Sequence, residues 1–350
     1  MIRLTWLQFR AQAVTAGAAL AVFAILLAAT GPHLASLYAA SGLTSCHAGS
    51  CQNLAGGFEF EVQSTGIYTA LYLISLGIIL LAPAVIGLFW GAPLIARELE
   101  TGTDALAWNQ SVTRTRWLAI KLTVIGLAAM AVTEGLSLMQ AWWAAPLGRA
   151  AGLGAPSGPL TQGRFTQLIF ASHGITPLGY AAFAFALGVT AGALIRRTIP
   201  AMAVTLAVFV ALQVAMPLWI RPHFAPADRA AIVLSPGNEA GGATGPGGST
   251  LTLVATSLPG QPGAWILSSG PVNAAGRPVS TTPAACSASS TENNLPDFDG
   301  CLTSQGIREA ISYQPASRYW PFQWTETALY LALALALAGY CFRRLNRRRC

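Results

Sequence analysis

Few side chains in this chain are fit for chemistry. Its 350 residues hold thirteen acids, four histidines, six cysteines and one lysine, Lys121. A P-loop requires GxxxxGK[ST], because its lysine and backbone amides hold the phosphates. Leu122 follows Lys121 and no glycine-rich run precedes it, so this chain has no P-loop. The longest polar segment contains no GxSxG, HExxH or SxxK, and His223 stands alone at its start. No histidine or acid cluster joins the cysteines to complete a metal site. The expectation is a chain that is not an enzyme: no catalytic residue, no metal and no bound cofactor.

The cysteines offer redox chemistry. Cys46 and Cys51 form one local pair, and Cys286 and Cys301 another. Two local pairs point to two disulfides in an oxidising compartment. Free thiols or a cysteine metal site are the alternatives. A Cys46–Cys286 link also stays open, because connectivity cannot be read from spacing. Closing the 286–301 loop would stabilise its surroundings by ~3 kcal/mol in the chain-entropy picture.

These groups must be positioned by membrane spans. Charged residues are 9% of the chain and hydrophobic ones 53%, with a net charge of +7. A soluble domain carries roughly 25% charge. About 20 apolar residues cross the hydrocarbon as a helix. Six stretches qualify, near 12–31, 67–92, 120–145, 175–195, 199–220 and 322–342. Their runs are continuous rather than alternating, so helices, not a barrel, must satisfy the backbone. The first run is too long for a signal h-region and reads as a retained span.

Nineteen arginines cluster at the ends of these runs, without basic stripes interleaved with aromatics, which argues against nucleic acid as a partner. Arginine in place of lysine, with abundant Ala and Gly, points to a GC-rich bacterial genome. With a cytoplasmic N-terminus, thirteen basic residues fall inside in short segments, including the tail RRLNRRRC, and seven fall outside. That bias sets the orientation. The reading is an all-α polytopic membrane protein with six transmembrane helices and both termini cytoplasmic. A small mixed extracytoplasmic domain precedes the last span, and the location is a bacterial plasma membrane.

Residues 1–11 suit an interfacial helix, 12–220 hold spans one to five with a cytoplasmic loop at 93–119, 221–318 form the extracytoplasmic domain, and 319–350 hold the last span and basic tail. In RRTIP, Thr198 can cap a helix and Pro200 suits its first turn, so spans four and five form a tight hairpin. Residues 165–174 suit a short interfacial helix. Within the outer domain, SPGNEAGGATGPGGST reads as flexible. AWILSSGPVNAAGRPVS reads as strands around a turn at Asn273 and Gly276. The segment from Cys301 starts helix-like and ends in an interfacial belt of Tyr319, Trp320 and Trp324.

The segment ARELETGTDALAWNQSVTRTRW, 96–117, is dense in helix-end signals. Thr101, Thr103 and Thr113 are cap candidates, Gly102 permits a bend, and Asp104 favours a first helical turn. Leu106 and Trp108 are the large apolar groups between them. A loop that only reconnects two spans needs fewer caps.

The pattern ARELETGT…SVTRTRW…K resembles the first cytoplasmic loop of type-2 ATP-binding-cassette (ABC) exporter permeases. The matching positions are Arg97, Glu98, Glu100, Gly102, Thr103, Ser111, Val112, Thr113, Arg114 and Lys121. The stretch TDALAWNQ departs from the family's more aliphatic pattern. The resemblance implies a coupling loop, with Asp104 and Trp108 among its contacts, docking a separate cytoplasmic P-loop ATPase. ATP and Mg would bind on that partner. It also implies a permease homodimer or heterodimer in the bilayer that exports a substrate, possibly drug-like or lipophilic.

Glu134 sits in mid-span, where an ionised group is costly by ~3 kcal/mol or more unless it faces protein or water. It reads either as a pathway residue or as a paired helix tie, with Gln140 or Gln213 as polar neighbours. Pro83 and Pro217 are expected kink points. Two alternative functions are a membrane-anchored sensor or mechanotransmission subunit and a secondary transporter. The second would want internal repeats and several mid-span charges, which this sequence lacks.

Overall fold

The computed structural model describes residues 2–46, 51–101, 114–153, 158, 160, 162–234, 239–244, 250–255, 258–261, 263–289 and 295–347. Six helices among them are long and apolar enough to cross a membrane: Phe9–Ala40, Ile67–Arg97, Arg116–Trp143, Thr176–Ile195, Thr198–His223 and Ala316–Arg344. They match the six expected spans.

Helix α1 runs unbroken over Ile2–Ala40. Residues 2–11, expected as a separate helix, are its first turns. The apolar character of the span continues without a glycine or proline break there, and Phe9 packs edge-to-face on Trp90 at 4.8 Å. A short α2, Cys51–Ser64, follows the first disulfide. Span two is α3, Ile67–Ile86, a π-helical turn at Gly87–Gly91, then α4, Ala92–Thr101. Pro83 lacks an N–H, so the hydrogen-bond ladder must be re-laid downstream, and the π turn follows within a turn of helix. Span three is α5, Arg114–Trp143, which leads into the short α6, Ala145–Gly152. The expected helix before span four is α7, Gln167–Ser172.

Span four, α8 (Thr176–Ile195), is the centre of the bundle. Its apolar window is 78% buried, against 11% for α1, so α8 is enclosed by the other helices while α1 lies at the rim of the bundle. Small residues let backbones meet there. A Cβ on Gly87 would lie 2.7 Å from the Ala184 carbonyl oxygen, and one on Gly91 2.7 Å from that of Phe185. From the α8 side, a Cβ on Gly188 would collide with the Gly87 carbonyl and lie 2.7 Å from Ala92 N. Without hydrophobic drive between helices in lipid, such close contact supplies the attraction.

Span five is α9, Thr198–Ala215, continued by a π turn at Met216–Ile220 and a 3-10 turn at Arg221–His223. Pro217 is the second residue of this π turn, whereas the π turn of span two begins four residues after Pro83. The hairpin to α8 turns on Arg196, left-handed at φ 58°, and an extended Arg197. Thr198 is the first residue of α9 rather than its cap. The cap position belongs to Arg197, whose side chain does not cap.

Residues 228–314 build a small sheet domain. Strands β1 (Asp228–Ile232), β4 (Trp265–Val272) and β5 (Arg308–Gln314) form an antiparallel sheet in the order β1-β5-β4. Strands β2 (Glu239–Thr244) and β3 (Thr250–Ala255) make a separate hairpin. The stretch expected as flexible thus contains a strand: β3 carries the apolar alternation, with Leu251, Leu253 and Ala255 buried, and Gly-rich β2 pairs along it. Asn273 accepts the Ala275 and Arg277 amides at the expected β4 turn. Helix α10, Leu295–Ser304, is the helical part of the 301 region, but β5 follows it directly. Cys286 bonds Cys301 inside a core of Leu251, Phe298, Leu302 and Ile307.

Span six is α11, Tyr319–Arg347. Trp320 and Trp324 are exposed, as expected of a belt, but Tyr319 is buried in a cluster with Phe165, Phe170 and Phe322. Both termini of the bundle, the 196–197 turn and both flanks of 102–113 lie at one end. The two disulfides and the sheet domain lie at the other.

The backbone contact at Gly188 yields a test. Gly188→Ala is expected to destabilise the chain by about 2 kcal/mol through overpacking. Gly77→Ala, where nothing lies within 4 Å, is expected to be neutral. Thermal unfolding in nanodiscs compares the two.

Candidate functional site

Arg97, Glu98 and Glu100 lie in α4, and Arg114 opens α5. The coupling-loop residues Gly102, Thr103, Asp104, Trp108, Ser111, Val112 and Thr113 lie outside the described residues. What is described is the pair of helices that flank them and the partners those helices hold.

At the α4 flank, Glu100 reaches across to α9. Its Oε1 accepts the Thr198 amide at 2.9 Å and its Oε2 accepts the Thr198 hydroxyl at 2.6 Å. The first turn of a helix has orphan N–H groups and the positive end of the helix dipole, so a carboxylate there is favoured. The Thr198 hydroxyl and amide, with Arg197 adding positive charge, hold the Glu100 carboxyl below its ordinary range. The contribution of a lowered carboxyl is present above the unfolded value and lost as pH falls through the folded one. The junction is therefore charged and intact at neutral pH. At the α5 flank, Lys121 is buried with its ammonium 4.4 Å from the Trp117 ring centre. The capping role that the sequence assigned to Thr198 is carried by Glu100 from another helix.

At the far end of α9 lies a second polar junction that the sequence reading missed. Arg221 and Glu326 are both buried. Arg221 Nε donates to Glu326 Oε2 at 2.8 Å and its Nη2 to Oε1 at 3.1 Å. The Tyr180 hydroxyl of α8 donates to Glu326 Oε1. The Phe170 ring of α7 lies 3.9 Å from the guanidinium. One turn earlier on α11, Gln323 Nε2 donates to the Phe170 and His173 carbonyls, and its Oε1 accepts the Ile175 and Thr176 amides. Gln323 thus satisfies the end of α7 and the start of α8 together. Gly174, at φ 72°, leaves room for it, since a Cβ there would lie 2.7 Å from Gln323 Oε1. Half-buried His173 has its imidazole pKa lowered, chiefly by loss of solvent. It serves this junction through its backbone rather than as a charge.

Arg221 is the first residue of the 221–318 segment expected outside, and Glu326 lies near the start of the expected span 322–342. The available signal was two opposite charges, each at the edge of an apolar run, in a chain with few charges.

Glu134 does not join either junction. It is half-buried on α5, and its Oε2 has no partner among the described residues. Neither expected neighbour pairs with it: the buried Gln140 amide has no partner among the described residues, and Gln213 accepts from Tyr330 at 3.2 Å. Among the described residues no group of three or more metal-binding side chains occurs.

The described residues thus place six candidate membrane spans in one bundle, with a polar junction at each end of span five. The family model described as ABC-2 membrane transporter related matches residues 17–221. The chain belongs to that family. The match covers more than half of the chain, takes in the first five spans and ends on Arg221. No curated protein and no solved structure matches the chain. It is an ABC-2 type, multi-pass membrane permease, and membership implies an ATPase partner in general terms.

The buried pair predicts a mutational asymmetry. Arg221→Met strands a buried carboxylate and is expected to cost about 3–5 kcal/mol. Adding Glu326→Leu is expected to recover most of that loss, because an apolar replacement of the whole pair is close to neutral. Unfolding of the four chains of this cycle in nanodiscs measures both.

Proposed function

We propose that this chain is the membrane half of an ABC exporter. A separate P-loop ATPase docks on residues 102–113, and its closure on ATP moves α4 and α5. Glu100 passes the movement of α4 to the α8–α9 hairpin, and access switches between the two faces of the membrane. The joint from Glu100 to Thr198 is the observation that supports this reading most. It links the flank of the loop to the start of α9, at the hairpin with α8, by a charged contact rather than by sequence neighbours. The lack of a GxxxxGK[ST] run in this sequence supports an energy source on another polypeptide.

In this reading the end that carries both termini is cytoplasmic, since thirteen basic residues gather in the short segments there. The disulfides and the sheet domain then face the oxidising side of a bacterial plasma membrane. Two copies, identical or paired with a related chain, enclose the route. The lining available from apolar spans favours a lipophilic or drug-like substrate.

Docking and transmission are separable. Asp104→Arg and Trp108→Ala are expected to lower recovery of a P-loop ATPase with the tagged permease by about tenfold, the loss of one good contact. Glu100→Gln is expected to leave recovery unchanged while reducing permease-stimulated ATP hydrolysis. Unchanged recovery with both loop variants would remove the docking proposal.

A further inference from the structure

Span five is held by a charged contact at each end. Its first residue, Thr198, is bound by Glu100, and Arg221, in its last turn, is bound by Glu326. Between them the backbone stays helical through the π turn, over the 26 residues Thr198–His223. At 1.5 Å per residue that is a rod of about 39 Å.

Beyond Arg221 there is little slack. Seven residues on, the chain enters β1, which pairs with β5 from Asp228↔Tyr313 to Ile232↔Glu309. Strand β5 is the last element before the 3-10 turn that opens α11. Three side-chain contacts cross this root. Gln314 Nε2 donates to the Ala225 carbonyl at 2.8 Å, Arg318 Nη1 to the Pro226 carbonyl at 2.6 Å, and Arg318 Nη2 pairs with Asp228 at 3.0 Å. Trp265 of β4 stacks on Phe165, whose cluster includes Tyr319 and Phe322 of α11. The domain's outgoing and returning chains are thus tied to each other and to the Arg221 junction.

We propose that α9 is a rod that makes the sheet domain follow movements of α4, with Arg221 and Glu326 as the positioning residues that form its far joint. The joint fixes the end of α9 to α11 through Glu326 and to α8 through Tyr180, so a displacement at Thr198 reaches the domain root without being absorbed by the loop. A bidentate guanidinium–carboxylate contact suits that task, because it fixes orientation as well as distance. The match to the family ends at this residue, so the joint lies at the edge of the matched region, where span five gives way to the sheet domain. The proposal rests on the permease reading only for the source of the movement.

Hydrogen–deuterium exchange of the whole chain in phosphatidylethanolamine–phosphatidylglycerol nanodiscs, with no ATPase present, tests it. Glu100→Gln loosens the near joint. With Arg221 and Glu326 intact, exchange is expected to rise by about threefold or more both in the first turn of α9 and in β1 and β5. In the Arg221→Met, Glu326→Leu background only the first turn of α9 should respond. If that double variant does not fold, Glu326→Gln is read in the same way. Sheet amides that ignore Glu100→Gln, or that respond equally in both backgrounds, overturn the proposal. The ATPase recovery experiment is independent of this one, so either can fail alone.

Discussion

Backbone contact between span two and α8 is the constraint on which the rest of the bundle depends. Gly87 and Gly91 on one side and Gly188 and Gly192 on the other bring main chains together where any side chain would collide. That contact explains why Pro83 and a π turn are tolerated in span two: the altered ladder presents both glycines to α8. It also explains how α8 becomes the most buried span although its sequence is as uniformly apolar as its neighbours. Lipid offers no advantage for burying Leu over Ala, so close approach decides which helix is central.

Around that centre, charge is spent sparingly and at the ends. Glu100 satisfies a helix start that would otherwise face its orphan amides alone. Arg221, Glu326 and Tyr180 close the other end in a setting with little solvent, where a stranded member would be expensive and a complete set is tolerated. Gln323 adds four hydrogen bonds to the α7–α8 connection and one to Tyr319, and joins three helices. Both joints bring together residues about a hundred positions apart, which makes them properties of the tertiary structure. The sheet domain hangs from the second joint, and its own interior is held by Cys286–Cys301 packed among Leu251, Phe298 and Leu302.

The legible part of the sequence was what depends on local pattern. Continuous apolar runs marked six spans, the two prolines expected to kink their helices lie at or just before π turns, and two close cysteine pairs marked both disulfides. The Asn273 turn was legible because its side chain bonds its own backbone. What was not legible depends on distant partners. Thr198 looks like a cap until Glu100 arrives from another helix. Arg221 and Glu326, 105 positions apart, look like loop and rim charges until the chain between them folds back. Gly-rich β2 reads as flexible because its order comes from the apolar alternation of β3. Tyr319 looks like its tryptophan neighbours, yet the Phe165 cluster takes it inward. The loop residues of the family resemblance remain a matter of sequence, since 102–113 lie outside the described residues.

The central claim is that residues 102–113 receive force from a separate ATPase. A photo-reactive phenylalanine in place of Trp108, irradiated in native membranes with and without ATP, tests it most directly. The account predicts an adduct with a P-loop ATPase whose yield changes with nucleotide. An adduct with lipid alone, or none with a nucleotide-binding protein although the permease is in the membrane, would contradict it.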